Sequence, residues 1–129
     1  MAKLLGRGGL RTVQSIGTPS AEMAAGLDAD WIVSALKSRT TPSADAVAES
    51  LAALEWLRER GCEQIFFKYC SPFDSTAAGN IGQVSEALPE QLGSDFTPAC
   101  PAFPEHGRTL FRGPLVVQAP LLHESRLPH

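Results

Sequence analysis

Apolar residues follow two alternating rhythms along this chain. Residues 11–16 alternate polar and apolar, with β-branched Thr12 and Val13, and predict a strand that Gly17-Thr18-Pro19 ends. Residues 21–26 read as a short helix or a loop. Residues 30–36, Asp-Trp-Ile-Val-Ser-Ala-Leu, form a nearly continuous apolar run, the pattern of a strand covered by helices on both faces. From Thr41-Pro42 the period changes to three and four. Ala44, Val47, Ala48, Leu51, Leu54, Trp56 and Leu57 then mark one side of a helix running to Arg60, with Thr41 as cap, Pro42 at the first position and Gly61 as stop. Trp56 reads as core packing.

Residues 63–69 predict a third strand. Residues 80–92 predict a second helix, capped by Asn80, kinked by Pro89 and ended by Gly93, with Ile81, Val84, Leu88 and Leu92 on one face. Residues 95–100 predict a fourth, short strand that Pro98 weakens. Thr109-Leu110-Phe111 and Leu115-Val116-Val117, separated by Arg112-Gly113-Pro114, predict a hairpin, and residues 121–124 start one more element. At the N-terminus, residues 2–5 read as the last turn of an amphipathic helix and residues 6–9 as its stop. That is either the end of a helix begun upstream or a frayed terminal turn.

Strands and helices alternating from residue 11 to residue 100 predict an α/β fold. It is a three-layer sandwich with a mainly parallel sheet, plus a C-terminal hairpin. Parallel strands bring the loops after Leu36, Tyr69 and Cys100 to one sheet edge, where ligands bind in open α/β sheets. The first loop carries Lys37, Ser38 and Arg39, and an arginine fork matches a carboxylate. Taken alone, these cations also read as solvated loop charges, the commoner case for an isolated K-x-R. The second loop offers a cation (Lys68), a carboxylate (Asp74), hydroxyls (Ser71, Ser75, Thr76), Gly79 and an amide (Asn80), a set suited to a polyhydroxylated anion. The third carries Glu105, His106 and Arg108.

Composition narrows the classes. The chain has 129 residues, 43% hydrophobic and 19% charged, enough for one domain or part of one. Eleven Lys and Arg against 14 Asp and Glu leave a net charge of −3, which argues against a nucleic-acid or membrane footprint. Three cysteines, Cys62, Cys70 and Cys100, lack metal-ligand spacing and predict free thiols in a cytoplasmic protein. There is no P-loop, no G-x-G-x-x-G after a strand and no G-x-S-x-G elbow. A Cys70–His106 pair is conceivable, but Cys70 reads better as a small packing residue.

Three motifs in order carry a family resemblance: Leu36-Lys37-Ser38-Arg39-Thr40; residues 67–71 continuing through Phe73-Asp74-Ser75-Thr76 to Gly79-Asn80-Ile81-Gly82; and residues 100–105 with Gly107-Arg108-Thr109. Together they resemble the N-terminal domain of the four-carbon acid sugar kinases, with matching order and spacing along essentially the whole chain. The resemblance implies an ATP-dependent kinase that phosphorylates the terminal hydroxyl of a four-carbon sugar acid. It implies that residues 1–129 are a partial sugar-acid-binding domain, without the family's first strand and its Asp-Asp-x-Thr-Gly-Ala motif. The C-terminal nucleotide-binding domain would also be absent. ATP and Mg²⁺ would serve the full-length family, with neither expected on this chain alone.

In an intact relative, Arg39 and Lys37 would hold the substrate carboxylate. Lys68, Asp74, Ser75, Thr76 and Asn80 would grip its hydroxyls and carbonyl, while Glu105 and Arg108 would line the rim or be structural. Asp74 is one candidate base, and a carboxylate of the absent motif is another. Pro72 departs from the family's usual Thr and removes a hydroxyl and an N–H from the loop. Two other readings stand beside this one: a non-catalytic sugar-acid-binding fragment or inactive truncated product, and, more weakly, a phosphosugar isomerase-like enzyme using Asp74 or His106. A sheet lacking one strand also exposes an edge, making homo-oligomers an available outcome.

Overall fold

The computed structural model describes residues 1–20, 28–69, 78–110 and 115–117. Helix α1 (Ala2–Arg7) is the N-terminal turn anticipated from the sequence, and Gly9 follows it at φ +87°. Strands β1 (Thr12–Ile16) and β2 (Trp31–Ala35) pair in parallel, with Thr12 opposite Trp31 and Ile16 opposite Ala35. The expected helix or loop at residues 21–26 lies outside the described residues.

Side chains fasten both ends of this pair. At the entry end, the Arg11 guanidinium donates to both Asp30 carboxylate oxygens, at 3.2 and 2.7 Å, and pairs with Asp28. At the exit end, the Gly17 N–H donates to the Ala35 carbonyl at 3.0 Å, and the Ser15 and Ser34 hydroxyls donate to the Gly17 carbonyl. Gly17 sits at φ +71°, where a side chain would be strained.

Helix α2 (Ser43–Glu59) begins one residue later than expected. Pro42 occupies the capping position, and no side chain caps the helix, so Thr41 does not play the role its hydroxyl suggested. The buried side also differs from the anticipated stripe. Ala46, Ser50, Ala53, Leu54 and Trp56 are buried, whereas Ala44 and Ala48 face solvent. Alanines lie all round this helix, so its period leaves the orientation loosely specified. The face carrying small side chains is the one that permits close packing with helix α3 (Ile81–Leu92). Val84 and Leu88 of α3 join Ala46 and Leu54 in the core, with Val47, Leu51, Ile65 and Phe67 packed against it. Helix α3 runs through Pro89 and stops at Gly93, which is left-handed at φ 64°. Trp56 is 7% exposed, with the Arg60 guanidinium 4.1 Å from its ring centroid, a packing role as anticipated.

Two expected strands do not form. Residues 63–69 keep the alternation of a strand, with Ile65, Phe67 and Tyr69 turned inward and Phe66 67% exposed. Among the described residues they join no ladder. Residues of β2 and of this segment line one hollow of about 970 Å³. Residues 95–100 are exposed and likewise unpaired. The fold is therefore α/β, as expected, with a parallel sheet of two strands among the described residues. Strands β3 (Arg108–Leu110) and β4 (Leu115–Val117) pair antiparallel, Thr109 opposite Val116; the residues joining them lie outside the described ones. No helix among the described residues is long and apolar enough to cross a membrane.

Candidate functional site

Beyond Ala35 the backbone leaves the sheet through Leu36 and reverses at Lys37, which is left-handed at φ 58° and ψ 24°. Among the described residues Lys37 is the one non-glycine residue with positive φ. A short 3₁₀ turn, Ser38–Thr40, follows, closed by the Thr41 N–H on the Ser38 carbonyl at 3.1 Å. This tight reversal leaves Lys37 and Arg39 exposed at the carboxyl end of β2, with Ser38 half-buried between them.

Asn80 reaches the same turn from the start of α3. Its Nδ2 donates to the Ser38 carbonyl at 2.7 Å and to the Thr41 carbonyl at 2.9 Å. The sequence suggested a helix cap, but although Asn80 holds the capping position its side chain makes no cap bond. The amide is committed to the neighbouring loop instead.

The 63–69 segment brings the third cation. Lys68 is exposed; its ammonium donates to the Tyr69 carbonyl and lies 5.5 Å from the Tyr69 ring centroid. Tyr69 meets Phe67 edge-on, their centroids 6.0 Å apart. Burial pushes the Tyr69 phenol above its usual range; the nearby Cys100 thiol adds to the shift and a hydrogen bond from the Cys100 backbone opposes it. Tyr69 was absent from the residues singled out by sequence, yet it joins the second strand-end segment to the third. Its position just before a break in the apolar run was the available signal.

Lys37, Ser38, Arg39, Lys68 and Asn80 all line the hollow between β2 and the 63–69 segment. Ala53, Leu54 and Leu57 of α2 and Leu88 of α3 add apolar lining, and Asp30, Arg60 and Glu63 line it as well. Gly79, half-buried, does not line it, and neither do Glu105 and Arg108. Glu105 is exposed on a 3₁₀ turn (Pro104–His106), and Arg108 opens β3, its backbone exchanging two hydrogen bonds with Phe103. His106 packs on Phe103, ring centroids 4.3 Å apart. Ser71, Asp74, Ser75 and Thr76, with the candidate base among them, lie outside the described residues, as does Cys70.

Cys62 and Cys100 are free thiols; burial raises the Cys62 thiol, with the Arg60 charge acting the other way. Among the described residues no group of three or more His, Cys, Asp or Glu side chains could ligate a metal. No Mg²⁺ or nucleotide contact is assigned to them.

Comparison with known proteins agrees with this architecture. Residues 1–129 match the model of a family described as "Sugar-binding N-terminal domain". A 3-oxo-tetronate kinase of Pseudomonas savastanoi pv. phaseolicola is 85% identical over 125 residues, covering 97% of this chain and 29% of the relative. The 3-oxo-tetronate kinase of Pseudomonas fluorescens is 76% identical over 129 residues, covering 100% of this chain and 30% of the relative. A crystal structure of a Haemophilus influenzae protein superposes with a TM-score of 0.91 at 50% identity, over 97% of this chain and 30% of that one. The chain thus spans about 30% of the length of the relatives it matches.

Proposed function

The chain belongs to the sugar-binding N-terminal domain family, and from that premise we propose that it is the acceptor-recognising part of a longer ATP-dependent kinase. Its ligand in this reading is a four-carbon sugar acid of the 3-oxo-tetronate type, phosphorylated on its terminal hydroxyl. The observation that carries the proposal is the cationic turn at the carboxyl end of β2, with Lys37 and Arg39 lining the same hollow as Lys68. A four-carbon acid has one carboxylate and a short row of hydroxyls, and it needs a charged anchor at one end only.

Arg39 takes the carboxylate in two parallel hydrogen bonds, and Lys37 adds charge beside it. Lys68 and Ser38 donate to the carbonyl or hydroxyl oxygens. Ser71, Asp74, Ser75, Thr76 and Gly79 are assigned the remaining contacts to the acid, with Asp74 orienting or deprotonating the attacking hydroxyl. Glu105 and Arg108, which do not line the hollow, keep a structural role in this reading. ATP and Mg²⁺ belong to the remainder of the longer protein.

Isothermal titration of the folded chain with 3-oxo-tetronate, L-threonate and D-erythronate tests this reading. Saturable heat with at least one acid, weakened more than tenfold but still measurable in Arg39→Ala, is the expected result. No heat with any of the three, from a sample shown to be folded, would overturn it. The share of its relatives that the chain spans favours binding without chemistry for these 129 residues alone. Incubation with ATP, Mg²⁺ and the bound acid is then expected to leave the acid unphosphorylated.

A further inference from the structure

We propose that Asn80 is a positioning residue for the carboxylate anchor, acting through the 37–41 turn and not by touching the sugar acid. The hydrogen bonds leave little freedom in the assignment. Both partners, Ser38 O and Thr41 O, are carbonyl oxygens that only accept, so the NH₂ end of the amide must face them. The two N–H groups of Asn80 are thereby both committed, one to each carbonyl. The bonds span 42 and 39 residues of sequence, so they are tertiary ties and not local turn chemistry.

What they hold is a turn under strain. Lys37 adopts a left-handed backbone that lysine disfavours, because its Cβ crowds the adjacent carbonyl. Such a conformation persists only where its surroundings over-determine it. The amide fixes the carbonyls at both ends of the Ser38–Thr40 turn, and Arg39 lies between them. Asn80 also forgoes the capping bond its position invites, so α3 loses a local contribution to its first turn. The same side chain thus ties the first turn of α3 to the exit of β2. In this arrangement Arg39 is aimed by a residue two elements away.

The effect on binding rests on the sugar-acid reading above, whereas the effect on the turn does not. The test therefore reads both. Asn80→Asp is isosteric and sets a carboxylate oxygen against two carbonyl oxygens; Asn80→Ala removes the ties without repulsion. In the ¹⁵N-labelled chain without ligand, both substitutions are expected to shift the amide resonances of residues 37–41 and speed exchange of the Thr41 N–H. In titrations with 3-oxo-tetronate, Asn80→Asp is expected to weaken affinity about tenfold or more, as losing two hydrogen bonds predicts. That loss is expected to shrink markedly in an Arg39→Ala background, since the turn then carries only the weaker Lys37 and Ser38 contacts.

Unchanged resonances at residues 37–41 in a folded variant would overturn the proposal. So would an undiminished affinity loss in the Arg39→Ala background, which would make Asn80 a direct ligand contact. Should Asn80→Ala not fold, the isosteric variant decides. Should the wild-type chain bind no acid, the functional reading fails, and the resonance shifts alone decide the role of Asn80.

Discussion

Arg39 and Lys68 illustrate how differently two cations of one hollow are held. Lys68 is anchored on its own neighbour, through the Tyr69 carbonyl and ring, so its position is decided locally. Arg39 sits in a turn whose shape depends on Asn80, far along the chain. The guanidinium fork accounts for a testable asymmetry. Arg39→Lys keeps the charge but offers no planar pair of donors, and calorimetry is expected to show about a tenfold loss of sugar-acid affinity, ~1.4 kcal/mol. Arg39→Ala is expected to lose more. The residue types of this site were legible in the sequence, because a K-x-R at a strand's end and a polar loop before a helix are local patterns. The partners of Asn80 were not, because an amide at a helix start signals capping equally well, and only the folded chain brings the Ser38 and Thr41 carbonyls within its reach.

Helices α2 and α3 carry nearly all the buried apolar surface among the described residues. Leu54 is 2% exposed and Val84 1% exposed, and they are the largest fully buried side chains. Leu54→Ala is expected to cost ~2–5 kcal/mol. In so small a core, a melt followed by circular dichroism should then lose its cooperative transition at ordinary temperatures.

The sheet makes a different prediction. The Asp30 carboxyl is held below its usual 3.8 by hydrogen bonds from the Arg11 side chain and backbone. A carboxyl lowered in the folded state adds stability that is complete above the unfolded value and lost as pH falls through the folded one. Midpoint temperature against pH should therefore decline below about pH 4. Arg11→Ala should flatten that decline, modestly, because both side chains are exposed and solvent-screened. Element types were legible from periodicity alone for β1, β2, α2 and α3. The buried face of α2 was not, since an alanine-rich helix presents several comparable faces and its partner selects among them.

Among the described residues the molecule pairs a helical core with a parallel pair and an antiparallel pair of strands and leaves large apolar side chains in solvent. Ile16 is 72% exposed, Phe66 67% and Phe96 79%. Unpaired strand edges beside such side chains favour association between copies. Sedimentation velocity of the chain is expected to show oligomers that grow with concentration, and Phe66→Lys is expected to reduce them. An unchanged distribution would show that this edge takes no part. By itself, the sequence determined the α/β class, the places where β1, β2, α2 and α3 begin and stop, and the residues that carry charge beyond β2. All of these follow from side-chain period and turn chemistry, within a few residues of each position. Only the tertiary structure decided that residues 63–69 join no ladder among the described residues and that the amide of Asn80 braces the Lys37 turn instead of capping α3. Both depend on distances between segments far apart in sequence. A ladder needs a partner edge about 4.8 Å away, and a tertiary hydrogen bond needs its acceptor within about 3 Å.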